Sequence, residues 1–550
     1  MACCKPRLPS LVLLLLALLA GCGRMQPPAT APLDTWDVFF MQGARIGHGH
    51  VRQHNADYRG QPAVKTTAET VLAVRRFGDE TLVRAECISW ERPDGALLAF
   101  ECTTHMGPTP QTTRGTVDGG KLRIETDALP GGAARPPLTV SISDRLGGFN
   151  ALENDLARRP IKPGETRTIE SLWPIVNQPA TTTLTARSAE TTSLLDGSRS
   201  LLRIDAATQL GDAPPLESTL WVSDRGEVLK NRVEALDQTV YRTTRDVALG
   251  KAAATNEPTG DGLPPSFDLG WSSLVKLSAA PGDLHQAREA KYRVEVTGGD
   301  PAKIFPSDAA QHVRAIGPNT AEIAVIAIRA DRPPTVELAD DQRPTDADSR
   351  PSAMIQSDDP RVAALAAEAA GDETDPWPTA VALERFVNRK IRAKNFSQAF
   401  ASAAEVAATL EGDCSEHAVL LAAMARARGL PARVVMGLVY VEPQNAFGFH
   451  LWTTVFVGDR WIPLDATLGL GGIGCGHLQL ADTNLSEGNA LAEFLRVAQV
   501  LGRLKIDVLE VDGVQSPPIG APHSATDPGI KNTNGTSAAP DTGNEKRQSK

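Results

Sequence analysis

Over the first half of the chain, apolar and polar positions alternate in short runs. Thr81-Leu82-Val83-Arg84-Ala85-Glu86, Lys121-Leu122-Arg123-Ile124-Glu125 and Leu201-Leu202-Arg203-Ile204-Asp205 read as half-buried strands. Turn signals recur between such runs: Pro93-Asp94-Gly95, Asp118-Gly119-Gly120, Asp196-Gly197 and Asp224-Arg225-Gly226. The pattern predicts a large antiparallel β domain over residues 36–249, a scaffold or binding module with no evident internal repeat. A Gly-, Pro-, Thr- and Asn-rich linker at 250–266 separates it from a small β segment at 267–345. Strands are expected there at Lys291-Tyr292-Arg293-Val294-Glu295-Val296 and from Ala321 to Ile328, before a Pro- and Asp-rich loop at 331–352.

Beyond Asp358 the period lengthens. Val362 to Ala370 is Ala-rich, and Pro378 to Ile391 spaces Val381, Leu383, Phe386, Val387 and Ile391 as one face of a helix. Ala403 to Leu410 predicts a short helix with Ser402 as its cap and Glu405 three residues on. Another helix opens at Cys414, and strands return after Gly429-Leu430-Pro431. The fold class expected is therefore multidomain, with β-rich N-terminal regions ahead of an α+β domain at 355–512. The Pro-, Ser-, Thr- and Asn-rich tail at 513–550 predicts disorder.

Composition narrows the class. The 550 residues are 41% hydrophobic and 22% charged, as in soluble globular proteins. The net charge of −10 and the absence of a basic patch argue against a nucleic-acid partner. At the N-terminus, Lys5 and Arg7 precede an apolar run from Leu11 to Ala20, too short for a membrane span. It ends in Leu19-Ala20-Gly21-Cys22, which resembles the bacterial lipoprotein box. That resemblance implies a signal peptide at 1–21, lipidation of Cys22, a linker at 22–35, and a membrane-anchored protein outside the cytoplasm, on a periplasmic face.

There are seven cysteines. Cys3 and Cys4 leave with the signal. A two-residue Asp94-Gly95 turn would set Cys87 opposite Cys102 as a hydrogen-bonded pair, either bridged as a disulfide or left as two thiols. No CxxC pair or His-rich cluster predicts a metal site, and no acidic loop predicts calcium. Cys414 and Cys475 remain.

Gly412-Asp413-Cys414-Ser415-Glu416-His417 carries the candidate chemistry. Asp413 is placed as N-cap and Glu416 as its capping-box partner, with Gly429 and Pro431 ending the helix. Val419, Leu420, Met424 and Leu430 predict burial on one face. Cys414 then sits in the first turn, where free amides and the helix dipole favour an anion; the bland alternative is a buried structural cysteine. His450-Leu451-Trp452-Thr453-Thr454-Val455-Phe456-Val457 and Arg460-Trp461-Ile462-Pro463-Leu464-Asp465 read as a hairpin around Gly458-Asp459. A two-residue loop pairs 452 with 465 and 450 with 467. His450 and Asp465 are then diagonal neighbours on one face, about 7–8 Å apart. A three-residue loop would separate them. Trp452 and Trp461 either wall a cleft or pack the hairpin. His417 reads as part of the helix start. Asn395 and Gln398 are further candidates for amide contacts.

Gly412 to Ala418, Gly429-Leu430-Pro431-Ala432-Arg433, His450-Leu451-Trp452 and Trp461 to Thr467 together resemble the transglutaminase-like superfamily, over residues 375–480. The resemblance implies a papain-like α+β core. It implies Cys414 as nucleophile, His450 as general base and acid, and Asp465 as the carboxylate that orients it. No cofactor is implied. The expected activity is formation of a Cys414 thioester from a protein or peptide amide, then transfer to an amine or to water. The alternatives are a cysteine protease or amidase with the same three residues, and a non-catalytic binding or assembly lipoprotein.

Overall fold

The computed structural model describes residues 32–128, 136–211, 215–251, 268–330, 343–392, 400–486, 497, 500 and 502–515. The signal peptide, Cys22, most of both predicted linkers, Asn395, Gln398 and the tail beyond 515 lie outside them. Among the described residues no helix is long and apolar enough to cross a membrane.

Alternation in the sequence becomes a 14-stranded antiparallel sheet spanning Leu33–Met41 to Gln238–Thr243. The first strand lies mid-sheet. The second to eighth run outward on one side, and the fourteenth back to the ninth on the other. In Lys121–Thr126, Leu122 and Ile124 are buried between exposed neighbours, as a period of two requires. Gly147 bridges Ala96, beside the turn that opens the fifth strand, to Ser171 in the ninth. The helix Ala151–Arg158 follows and inserts Leu156 into the core of that half.

Cys87 and Cys102 face each other and form a disulfide. Their Cα atoms are 4.0 Å apart, the close spacing of a non-hydrogen-bonded pair rather than the wide one expected. The turn explains the difference. Arg92 N–H donates to Ala96 O, so the loop holds Pro93, Asp94 and Gly95, and a bulge after Trp90 restores the 87–102 pairing in the other phase.

The small β segment is not separate from the domain that follows. Its strands Glu289–Val296, Gln311–Gly317 and Thr320–Ile326 form one sheet with Leu504–Val511 and Val514–Gln515. Val275–Lys276 pairs with Ala446 and Phe447. Tyr292, Val294 and Ile323 share a core with Met436, Leu438 and Leu478. Strand pairing across more than 200 residues of sequence, as between Ala290 and Val511, is invisible to local patterns.

The α+β region carries helices Pro360–Ala370, Pro376–Lys390, Ala403–Thr409 and Cys414–Ala427. Its sheet is built on the central strand Ala432–Val441, flanked by Ala446–Val457 and His477–Thr483, with Arg460–Leu464 beyond. The Cys414 helix is buried all round from Ser415 to Arg426, not on one face. Ala418, Ala422, Ala423 and Ala425 leave room for the other helices on one side and the sheet on the other.

Candidate active site

Local sequence fixes the start of the Cys414 helix. Gly412 has φ +141°, and a Cβ there would lie 2.3 Å from Glu416 Cγ, so only glycine fits. Asp413 Oδ1 accepts from Ser415 N–H at 2.8 Å and Ser415 Oγ at 2.6 Å. Glu416 closes the capping box by accepting from Asp413 N–H at 2.9 Å. His417 Nδ1 is 2.6 Å from Asp413 O and buried, a structural contact. These bonds leave Cys414 half-exposed at the first helical position.

The hairpin at Gly458-Asp459 has the two-residue loop: Val457 pairs with Arg460 and Thr453 with Leu464. His450 thus reaches Asp465, with Nε2 2.9 Å from Oδ2. The His450 ring also faces the Cys414 side chain; with Nε2 taken by Asp465, Nδ1 is the nitrogen left for sulfur. Gly437, opposite His450, has no room for a side chain. A Cβ there would meet Trp452 at 2.5 Å and Leu478 O at 2.2 Å.

Asp465 is held on every side. Oδ1 accepts from Thr467 N–H at 2.8 Å. Oδ2 contacts both His450 and Nε2 of His477, the latter at 3.0 Å. The loop after Asp465 is fixed from the helix Pro376–Lys390. Glu384 accepts from Gly471 N–H at 2.9 Å, and Asn388, one turn on, donates to Ala466 O at 2.9 Å.

Electrostatics follow from this packing. Burial alone would push His450 toward neutrality, but the Asp465 carboxylate and the Cys414 thiol hold its pKa up at about 10. Burial disfavours ionised Asp465, yet the two histidines keep its pKa well below the usual carboxylate range. His477 is pushed down by burial. Its Nδ1 lies 3.2 Å from Gly474 O, so a cation would satisfy both contacts. Burial beside His450 and His285 outweighs that weak bond, and neutral His477 donates from Nε2 to Asp465. His450, Asp465 and His477 offer three ligand atoms within 4.8 Å of one another, a cluster that sequence spacing did not reveal. In the observed geometry those atoms are engaged in hydrogen bonds to each other.

Other expectations change. Trp452 and Trp461 are 1% and 8% exposed. Trp452 packs on His450 and His477, and Trp461 under Arg433. They serve as core, with too little surface to wall a cleft. Cys475 is buried; its thiol donates to Ala287 O, and burial pushes its pKa up to about 12. Sequence reading missed His477, Glu384 and Asn388. A polar pair four residues apart on an otherwise apolar helix face was the one available signal.

Residues 363–466, which contain Cys414, His450 and Asp465, match the family described as Transglutaminase-like superfamily. No curated protein matches the chain. Among solved structures, a candidate cysteine protease from Cytophaga hutchinsonii is 16% identical, with a TM-score of 0.28, over 40% of this chain and 86% of its own. A β-barrel-like protein of a domain of unknown function from Brucella abortus is 10% identical, with a TM-score of 0.29, over 38% and 94%. The periplasmic domain of TgpA from Pseudomonas aeruginosa, bound to ethylmercury, is 18% identical, with a TM-score of 0.20, over 35% and 95%. Across residues 363–466 the chain carries a domain of the transglutaminase-like superfamily.

Proposed function

We propose that the protein is a thiol acyl-transfer enzyme acting on protein or peptide amides outside the cytoplasm, held at a membrane through lipid on Cys22. The observation that supports this most is the buried His450, bonded to Asp465 and facing the half-exposed Cys414. A pKa of about 10 keeps this imidazole protonated at neutral pH, ready to give a proton to a leaving group.

The Cys414 sulfur attacks the amide carbonyl, forming a C–S bond as the carbonyl π pair moves to oxygen. The Cys414 backbone N–H, free at the first helical position, would stabilise that oxyanion. As the C–N bond breaks, His450 gives its proton to the leaving nitrogen, and ammonia or an amine departs. The incoming amine or water gives a proton to His450 as it attacks the thioester, and the thiolate is regenerated. Asp465 keeps the imidazole in the tautomer and orientation both steps need. His477, by donating to the same oxygen, positions Asp465. A domain that only binds a partner has no use for a titratable chain of this kind.

The test incubates wild type and Cys414→Ala with a glutamine peptide, with and without a primary amine, and weighs the products. Amine adducts from wild type alone indicate transamidation, and free glutamate or cleaved peptide indicates hydrolysis. A thiol-directed amide probe that labels Cys414→Ser as fully as wild type would remove Cys414 from this role.

A further inference from the structure

The Cys414 helix is capped partly from outside its own domain. The third and fourth strands of the large sheet, Gln61–Arg76 and Asp79–Glu91, meet at a hairpin tip. There Arg76 Nη2 donates to Asp413 Oδ2 at 2.8 Å. Asp413 is almost wholly buried, and Arg76 is about three-quarters buried. The tip is itself clamped. Phe77 has φ +53°, and the amides of Phe77 and Gly78 donate to the two oxygens of Asp268, at 2.9 and 2.6 Å. Gly270 packs so closely that a Cβ would lie 2.7 Å from Phe77 N.

A second loop of the same sheet, after the strand Leu97–His105, reaches the neighbouring helix start. Met106 O accepts from Phe400 N–H, and Thr109 N–H donates to Glu405 at 2.9 Å. Gly107 lies flat against this segment, where a Cβ would be 3.1 Å from Phe400 O. Next to Phe400, Ala401 N–H donates to Glu416 at 2.9 Å. Both routes converge on the Asp413–Glu416 capping box that sets the first turn of the Cys414 helix.

We propose that the large β domain is a working part of the thiol site, with Arg76 as a positioning residue that fixes Asp413 and hence the first turn that carries Cys414. The charge arrangement gives this a chemical consequence. Asp413 is faced by Arg76 from the hairpin and by Ser415, Glu416 and His417 of its own helix; Cys414 is faced by His450. Burial, with Asp413 beside it, raises Glu416 to a pKa of about 7. Asp413 and Glu416 thus sit together at the start of the Cys414 helix, and the Arg76 guanidinium meets the Asp413 carboxylate there. Without it, Asp413 loses its cationic partner and the first turn that carries Cys414 loses a fixed contact.

The inference rests on Cys414 being the nucleophile, but its test needs no acyl substrate. It therefore fails separately from the proposed reaction. Alkylation of Cys414 by iodoacetamide in the full chain is followed from pH 5 to pH 10, with Cys414→Ala as blank. Arg76→Ala is expected to move the half-maximal pH upward and to slow alkylation at neutral pH about tenfold, the effect of one unit of pKa. Arg76→Lys, which keeps the charge, is expected to recover most of the rate. A profile for Arg76→Ala that superimposes on wild type overturns the proposal. Should Arg76→Ala also lower the melting temperature, the Asp413→Asn background decides. There the Arg76 substitution is expected to have no further effect on the profile, and an undiminished effect overturns the assignment.

Discussion

Each half of the molecule encloses a set of carboxylates, and the two sets are neutralised differently. In the large β domain Asp37 and Glu153 both accept from Arg242, at 2.8 Å in each case. This cluster borders a cavity of about 250 Å³ whose lining residues all belong to that domain. In the α+β domain Asp465 is met by His450 and His477. A guanidinium does not release its proton under ordinary conditions, so Arg242 serves the first set as a fixed cation that ties strands and helix together. An imidazole can do so, and its second nitrogen is free to face a thiol. The comparison teaches that a buried carboxylate becomes chemical through its partner's ability to titrate, not through its own burial.

The largest expected effect breaks the two regions apart. Cys414→Ala is expected to lower amide turnover by at least about a thousandfold, since nucleophile and base act as one unit. The cavity and the Asp37 cluster should be untouched, with no change in the unfolding of the β domain. Retained turnover in Cys414→Ala would place the chemistry elsewhere.

Matched carboxylate substitutions sharpen the contrast. Asp465→Asn is expected to cost about 10²–10⁴ in kcat. It should also lower the alkaline limb of the pH–rate profile, because His450 loses the carboxylate that raises it and burial then dominates. Asp37→Ala leaves Arg242 partly unpaired and is expected to cost stability, by about 3–5 kcal/mol at most for a largely buried partner. Alkylation of Cys414 should stay near the wild-type rate below the melting temperature. A loss of thiol reactivity in Asp37→Ala that matched Asp465→Asn would refute the division of roles.

The same contrast explains what was legible in the chain. The Cys414 helix start is a local device: glycine, aspartate and glutamate at fixed offsets. The hairpin that joins His450 to Asp465 is set by one two-residue loop. Both could be read from neighbours in sequence. His477 reaches Asp465 only because its strand pairs with the central one, where His477 lies opposite Val439. Arg76 meets Asp413 across 337 positions. The shared sheet of 289–296 and 504–511 is equally non-local. The all-round burial of the Cys414 helix depends on what packs on its alanines. Local periodicity reports which face is apolar, not how many neighbours will arrive.

His477 offers a smaller, more selective effect. Its Nε2–H restrains Asp465 without touching the thiol, so His477→Ala is expected to lower kcat about 10–100-fold with little change in KM. His477→Gln can present an amide N–H to the same oxygen and should recover part of the loss. If neither substitution alters kcat, Asp465 is held well enough by Thr467 and His450.

The smallest effect concerns Glu384, a carboxyl held by an amide instead of a guanidinium. It is fully buried, accepts from Gly471 N–H, and burial with Asp465 nearby raises its pKa to about 8. The folded-state value is above the unfolded value of 4.5. Between those pH values the folded chain keeps a proton that the unfolded chain has lost, so stability falls as pH rises through this window. Above pH 8 the accumulated cost is on the order of a few kcal/mol. Glu384→Gln retains an acceptor for Gly471 and cannot ionise. Its melting temperature should equal that of wild type near pH 4.5 and exceed it by a few degrees above pH 8. Parallel curves for the two proteins across that range would show that Glu384 enters the folded state already ionised. The loop behind Asp465 would then be held by a charge, as the β domain is, and the two regions would differ less than their partners suggest.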